Sequence, residues 1–500
     1  KIAIILVKKH YKIFKNGNTL DMNIEERTNI FEELVNYSKD IITLKFKVAG
    51  VNARAFYIDG ITDKAEVEIN VLEPLKTMDK VDKPIISMLQ NCIYISSPIV
   101  EEESIVDFAE KVVSGDVGLM FENDGNYFVI SARSYQMRAV QEPPVSTVLS
   151  GPREGFNEDM KINMTLLRRK LRTRNLVFEQ TKVGRYTSTS IAIAYIKGIA
   201  EDRIIKKIKD RIAEIDIDGV IDSSYIAKFL EERPASIFPQ VGKVEKPDIV
   251  AAKLLEGRIA IIVDGTPVVL TLPFVLMEHF QGSQDYMQKS ARTTLVRLVR
   301  ICSQIFALIL PGMYVAILEF QYQMFPMKFV LNIMKSIAST PLTPAVEMLF
   351  VLLIFEILSD ASLRMPRYLS MALSILGAII LGDTAVKAGL LSSPTVLVVS
   401  ISTIGMYCVP NQVEASSIIR ILFVVVAAIF GLFGVIMLGV FLLAYLSTIK
   451  SYETSYLAPL APMLTEDFKD TMIKEDLTKM TNRPKSIPNI NSKRQGDNDK

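Results

Sequence analysis

The chain has 500 residues, 49% of them hydrophobic, with 57 Lys and Arg against 55 Asp and Glu, for a formal net charge of +2. So even a balance supplies no basic field for nucleic acid. The three cysteines, Cys92, Cys302 and Cys408, lack the spacing of a disulfide framework or a zinc knuckle, and two histidines, His10 and His279, leave little for a metal site.

In chain order, Ile2–Val7 is too short for a signal peptide, and its basic residues follow the apolar run instead of preceding it. The N-terminal half is therefore expected to stay unexported. Residues 1–50 read as a variable segment, 51–145 as a first α/β lobe and 146–290 as a second. The lobes look duplicated. Tyr57-Ile58-Asp59-Gly60-Ile61 returns as Tyr195-Ile196-Lys197-Gly198-Ile199, 138 residues on, and Gly115 and Asp124-Gly125 return as Gly257 and Asp264-Gly265 at offsets of 142 and 140. Asp-Gly between apolar stretches predicts a tight hairpin, because Gly accepts positive φ. Glu142-Pro143-Pro144 through Gly155 reads as the junction between the lobes.

No catalytic constellation stands out. SGPREG (150–155) lacks the GK[ST] ending of a phosphate-cradling loop. The basic run Lys161–Arg174 could meet RNA or lipid headgroups, but without interleaved aromatic residues it reads better as a solvated helix face or a subunit contact.

Residues 301–449 are mostly apolar. Ile301–Phe320, Tyr368–Leu391 and Ile421–Leu446 approach or exceed the ~20 residues that cross a bilayer, whereas Pro344–Leu358 and Pro394–Val409 are short. Arg292, Arg297 and Arg300 before the first run place the N-terminal region in the cytoplasm by the positive-inside rule. The parity of the crossings stays open. Glu347 and Glu356 are intramembrane polar residues, expected to face a bundle interior, a partner or water. Small residues from Ser370 through Ser374, Gly377, Gly382 and Ala385 share one face, suited either to close helix packing or to lining a water path. Asp383 and Lys387 end that segment. They could pair at the interface and snorkel, or serve with Ser374, Gly377 and Leu381 as pore or gate. Gly431, Gly434 and Gly439 read as packing contacts. Residues 451–500 form a polar tail, expected to be mostly disordered.

Several stretches resemble one family, the A subunit of the GerA-type spore germination receptors. They are GPREGF (151–156), IAIAYIKGIA (191–200), IDIDGVIDSSYI (215–226), FPQ (238–240) and KPDIVAAKLLEGRIAIIVDGTPVVLTLP (246–273), then LPGMYVA (310–316), FEILSDASLRMP (355–366), LGDTAVKAGL (381–390), VPN (409–411) and SYLAPLAP (455–462). The resemblance implies an α/β cytoplasmic region of two duplicated lobes, followed by an all-α polytopic membrane domain of four to five helical segments. It further implies a multi-pass protein of the spore inner membrane, forming a homo-oligomer, a pentamer, that acts as a nutrient-gated channel for monovalent cations. Its implied partners are a transporter-like germinant-binding B subunit, a lipoprotein C subunit and membrane lipid, with no nucleic acid, cofactor, metal or enzymatic activity. A non-conducting scaffold that relays a partner's state is the alternative. One departure stands out: Leu352 occupies a position four residues before Glu356 where the family commonly carries an acid.

Overall fold

Alternation along 51–58 puts Ala53, Ala55 and Tyr57 on one face of a strand and Arg54, Phe56 and Ile58 on the other, and all six are buried. A strand buried on both faces needs helices above and below it. The computed structural model describes residues 22–62, 64–80, 84–93, 98–132, 151–338 and 340–495, without the side chains of 329, 367, 368, 373, 374, 378 and 381. Ile2–Val7, His10 and the Glu142–Pro144 part of the expected junction lie outside the described residues. The chain divides into two units, one of 1–234, 241–274 and 481–500, the other of 235–240 and 275–480.

The first unit holds two antiparallel sheets. Strands β1 (Ile41–Val48), β2 (Val51–Ile58), β3 (Ile99–Glu102), β4 (Val117–Phe121) and β5 (Tyr127–Ile130) lie in the order β1-β2-β4-β5-β3. Helices α1 (Ile24–Leu34), α2 (Ile85–Cys92) and α3 (Ile105–Val113) cover it. On one face α1 and α3 enclose Phe31, Phe56, Phe108 and Tyr127. On the other, α2 and the helical run 64–76 bury Val71, Leu75, Leu89, Leu119 and Phe128. Strands β6 (Leu176–Val183), β7 (Thr189–Ile196), β8 (Gly242–Val244), β9 (Ile259–Val263) and β10 (Val269–Leu272) take the order β6-β7-β9-β10-β8, the same order counted within the lobe. Their helices are α4 (Met160–Lys170), α5 (Asp202–Ala213), α6 (Ser223–Leu230) and α7 (Pro247–Leu255), with α4 and α7 on one shared core.

The repeated sequence motifs fall at matching turns. Gly60 and Gly198 follow β2 and β7 with φ of 93° and 85°, and Gly115 and Gly257 precede β4 and β9 with φ of 105° and 102°. The Asp-Gly pairs, in contrast, do not make two-residue hairpins; they sit in the wider loops 122–126 and 264–268. Each loop is held open by bonds to a helix. Arg27 of α1 donates to the carbonyls of Asp124 and Phe121 at 2.6 Å each, and Asp264 Oδ1 accepts from Met160 N at 3.1 Å.

The basic run is only partly a solvated face: Lys161 and Arg172 are exposed, but other members turn inward. Its Arg168 is 1% exposed and forms a two-pronged bond to Asp40 in the first lobe (Nε–Oδ2 2.9 Å, Nη2–Oδ1 3.0 Å), with its guanidinium over the Phe178 ring. Ser38 Oγ donates to Asp40 and accepts from Phe178 N, and Lys161 reaches Asp59 at 2.7 Å. The run thus fastens one lobe to the other. Periodicity sees a run of like charge; it does not see that the lobe's own partner supplies the counter-charge.

The second unit is helical: α8 (Ser290–Glu319), α9 (Met327–Ile337), α10 (Pro344–Arg364), α11 (Arg367–Ile379, continued by a π-helix over Ile380–Ala385), α12 (Ser393–Tyr407) and α13 (Val413–Thr448). Ser290–Glu319 and Pro410–Thr448 are long and apolar enough to cross a membrane, with mean hydropathy of 2.0 and 3.0. Side-chain contacts fix the directions. Along α12, Thr395, Ser402 and Gly405 meet Tyr314, Ala307 and Ser303 of α8, so these helices run antiparallel. Along α13, Ser416, Phe423 and Gly431 meet Gln304, Gly312 and Phe320, so its first half runs parallel to α8. Glu319 accepts the bond from Ala345 N at 3.0 Å, so α10 starts where α8 ends.

Gly431 breaks α13, with φ 63° and ψ −150°. A Cβ on Gly434 would stand 2.9 Å from the Val426 carbonyl oxygen, a distance impossible along one helix, so residue 432 onward folds back on the first half. The return ends where α8 begins. Tyr445 stacks 6.4 Å from Phe238, and Tyr456 O accepts from Leu276 N at 2.7 Å. The apolar run 421–446 is therefore two antiparallel pieces rather than one span, because a glycine chosen for its conformation looks, in sequence, like a glycine chosen for its size.

Nor is the tail structureless among its described residues. Tyr452 and Tyr456 are buried, and Arg297, 0% exposed, binds Asp285 Oδ2 at 3.0 Å and the carbonyls of Asp470 and Thr471 at 2.5 and 3.1 Å. Residues 481–495 return to the second lobe, where Ile490 N donates to Ile199 O at 2.8 Å. Replacing Arg168 by Ala strands the Asp40 carboxylate and is expected to cost about 3–5 kcal/mol, seen as a lowered denaturation midpoint of the purified chain. Lys161→Ala, at an exposed pair, should change it by less than about 1 kcal/mol.

Candidate functional site

A polar stripe runs through the apolar helices. Gln412, Ser416 and Arg420 recur every fourth residue and so share one face of α13, turned toward α8, α10 and α12. Gln304 of α8 donates to Ser416 Oγ at 2.5 Å, and Ser402 of α12 donates to Ala307 O at 2.7 Å. Arg420 is 2% exposed and donates through Nη1 to Thr403 Oγ1 at 3.1 Å and Ser402 Oγ at 3.3 Å. Its carboxylate partner is Glu356 of α10, 3.7 Å from Nη2, which also accepts from Ser417 Oγ at 3.0 Å. Glu356 is half-buried, with its other side on an open cleft lined by Leu353, Ile357, Asp360 and Arg364. It links a buried cation to the exposed flank of the bundle.

The sequence-predicted residues fall at three places. Glu347 is fully buried near the opposite end of α10 from Arg364 and accepts from Ser392 N at 2.5 Å. Gly377 is buried on the α10 side of α11, where a Cβ would come within 3.1 Å of Leu358, so its part of the small-residue face packs on a helix. Asp383 and Lys387 pair with each other at 2.7 Å, both exposed, with Asp383 inside the π-helical turn. The side chains of Ser374 and Leu381 lie outside the described residues. Residue-by-residue reading missed Arg420, since a hydropathy run that begins at Ile421 makes it look like a flanking interfacial charge. The fourth-residue recurrence of Gln412, Ser416 and Arg420 was the available signal.

Among its described residues the first unit offers no comparable arrangement. Its Tyr195 hydroxyl is pushed up from the ordinary phenol value by burial and by its bond to Glu179, which Lys209 also holds. A phenol made harder to ionise is a poor nucleophile. Among the described residues no group of three or more His, Cys, Asp or Glu could hold a metal ion.

The family described as Bacillus/Clostridium GerA spore germination protein matches residues 29–486. The chain belongs to the GerA family. "Spore germination protein KA" of Bacillus subtilis (strain 168) is 31% identical over 92% of this chain and 86% of its own length. "Uncharacterized membrane protein YfkQ" of the same organism is 32% identical over 92% of this chain and 91% of its own. Among solved structures, the N-terminal domain of the A subunit of the Bacillus megaterium spore germinant receptor GerK3 is 30% identical with a TM-score of 0.42, covering 51% of this chain and 96% of that one. Within this GerA chain, Glu356→Ala leaves buried Arg420 with only Ser402 and Thr403, and because Glu356 is itself half-exposed the cost is expected at about 1–3 kcal/mol in thermal unfolding. Asp360→Ala, at an exposed i,i+4 pair with Arg364, should cost under about 1 kcal/mol by the same thermal-unfolding measurement.

Proposed function

We propose that this chain is the A subunit of a nutrient-responsive spore germination receptor, and that copies of it, as a pentamer in the spore inner membrane, enclose a passage for monovalent cations. The observation that carries the reading is the exposed flank made by α10 and α11. There Leu353, Ile357, Ile375, Leu376 and Ile379 are exposed beside the charged groups Glu356, Asp360, Asp383 and Lys387. Apolar residues suit lipid or a neighbouring copy; charges at that depth suit water or a counter-charge. A ring of copies supplies both. The π-helical turn at Ile380–Ala385 is a natural hinge for such a flank. The family supports a transporter-like germinant-binding B subunit and a lipoprotein C subunit as partners. The matching strand orders support an origin of the two lobes by duplication.

The alternating directions support six passes: α8, α10, α11, α12 and the two pieces of α13. Both ends of the membrane region then lie on one side, the cytoplasmic one. A second reading, the non-conducting scaffold, is favoured by the Asp383–Lys387 pair, which has the geometry of charges resting at an interface.

Purified chain in potassium-loaded liposomes is expected to release potassium, with Asp360→Asn or Asp383→Asn changing the flux several-fold. No flux, even with the partner subunits present, would favour the scaffold. In a background lacking Cys92, Cys302 and Cys408, single cysteines at Ser290 and Ser447 should react with an impermeant reagent from one face, and those at Met324 and Leu390 from the other. Labelling of Ser447 together with Met324 would refute the six-pass arrangement.

A further inference from the structure

One buried acid is left without a counter-charge. Glu347 is 0% exposed; its Oε1 takes the Ser392 N–H, and its Oε2 has no hydrogen-bond partner. Among the described residues no ion pair includes it, in contrast to Glu356 with its arginine. An ionised carboxylate sealed in this way costs several kcal/mol unless a charge meets it. A protonated one would carry its hydrogen on Oε2 with nothing to receive it.

Hydroxyl oxygens lie next to the residue Glu347 binds. Ser392 Oγ donates to Thr395 Oγ1 at 2.9 Å, and Thr395 Oγ1 donates to the Tyr314 hydroxyl at 3.4 Å, so three hydroxyls from α8 and the start of α12 are strung together beside the carboxylate. Ser392 and Thr395 are 1% and 0% exposed. Each hydroxyl keeps lone pairs after these bonds. A set of hard oxygens carrying one negative charge matches a monovalent alkali cation. It is too weakly charged for calcium, which gathers several carboxylates, and too dry for magnesium, which retains its waters.

We propose that Glu347, Tyr314, Ser392 and Thr395 bind one alkali cation, sodium or potassium, inside each subunit. The site lies apart from the exposed flank of α10 and α11 and stands whether or not that flank conducts. Its ion would pin the start of α12 to α10 and α8, so that the packing of these three helices depends on the surrounding cation.

The test uses the purified full chain in detergent, at constant ionic strength, with N-methylglucamine replaced stepwise by sodium, potassium or rubidium. The thermal midpoint is expected to rise saturably with the alkali cation. In Glu347→Gln the rise should vanish while the midpoint in the cation-free buffer is unchanged or higher, because a neutral amide needs no counter-ion. Thr395→Val should raise the half-saturating concentration about tenfold, a loss of about 1.4 kcal/mol, and radioactive rubidium should be retained at about one ion per unsubstituted chain. Should Glu347→Gln fail to fold, the Thr395→Val shift and the rubidium count decide alone. An equal cation response in wild type and Glu347→Gln, no retained rubidium, or a midpoint that follows pH but not the cation would each overturn the proposal, the last by assigning the site to a proton.

Discussion

A helix that begins inside an apolar bundle brings backbone N–H groups to a place where no water can receive them. The second unit of this protein, with its long apolar helices, meets that constraint with side chains borrowed from neighbouring helices. Glu319 at the end of α8 receives the N–H of Ala345, Glu347 of α10 receives that of Ser392, and Gln321 receives that of Leu432, the first residue after the Gly431 break. Each bond joins two elements, so satisfying the backbone also sets which helices are neighbours. These three contacts place the starts of α10, α12 and the returning piece of α13 against their neighbours.

The first unit joins its two lobes through polar contacts. Arg168 reaches into the first lobe, where Ser38 and Asp40 receive it. Such a pair adds little net stability over an apolar contact of the same shape, but it tolerates no substitute partner and so sets one arrangement.

Much of this was legible in the sequence wherever the signal was local. The repeated Tyr-Ile-x-Gly-Ile and the paired glycines marked turns that recur at matching points of the two sheets, since turns that need positive φ leave glycine in place. The apolar runs marked α8, α10, α11 and α12, but only α12 to within a turn: α8 begins about three turns before Ile301, at Ser290, and α10 continues through Arg364, which pairs with Asp360 along it. What stayed hidden depended on distant partners. Arg420 could not be read as buried without knowing that Ser402, Thr403 and Glu356 surround it, and the amphipathic helix α9 is too short for a hydropathy window. Of the pore and gate residues, sequence placed Asp383 and Lys387 at a helix end, and their mutual bond is what i,i+4 spacing allows; which way Gly377 faces required the neighbouring Leu358.

The fold-back at Gly431 has a mechanical corollary. Because the chain re-emerges beside its point of entry, the stretch before α8 and the stretch after α13 are knotted into one clasp: Tyr456 on Leu276, Ser451 on Gln240, and Asp470 on Arg297. A clasp of this kind closes the bundle into a loop. Through those contacts a displacement of the chain before the first helix is passed to the chain after the last.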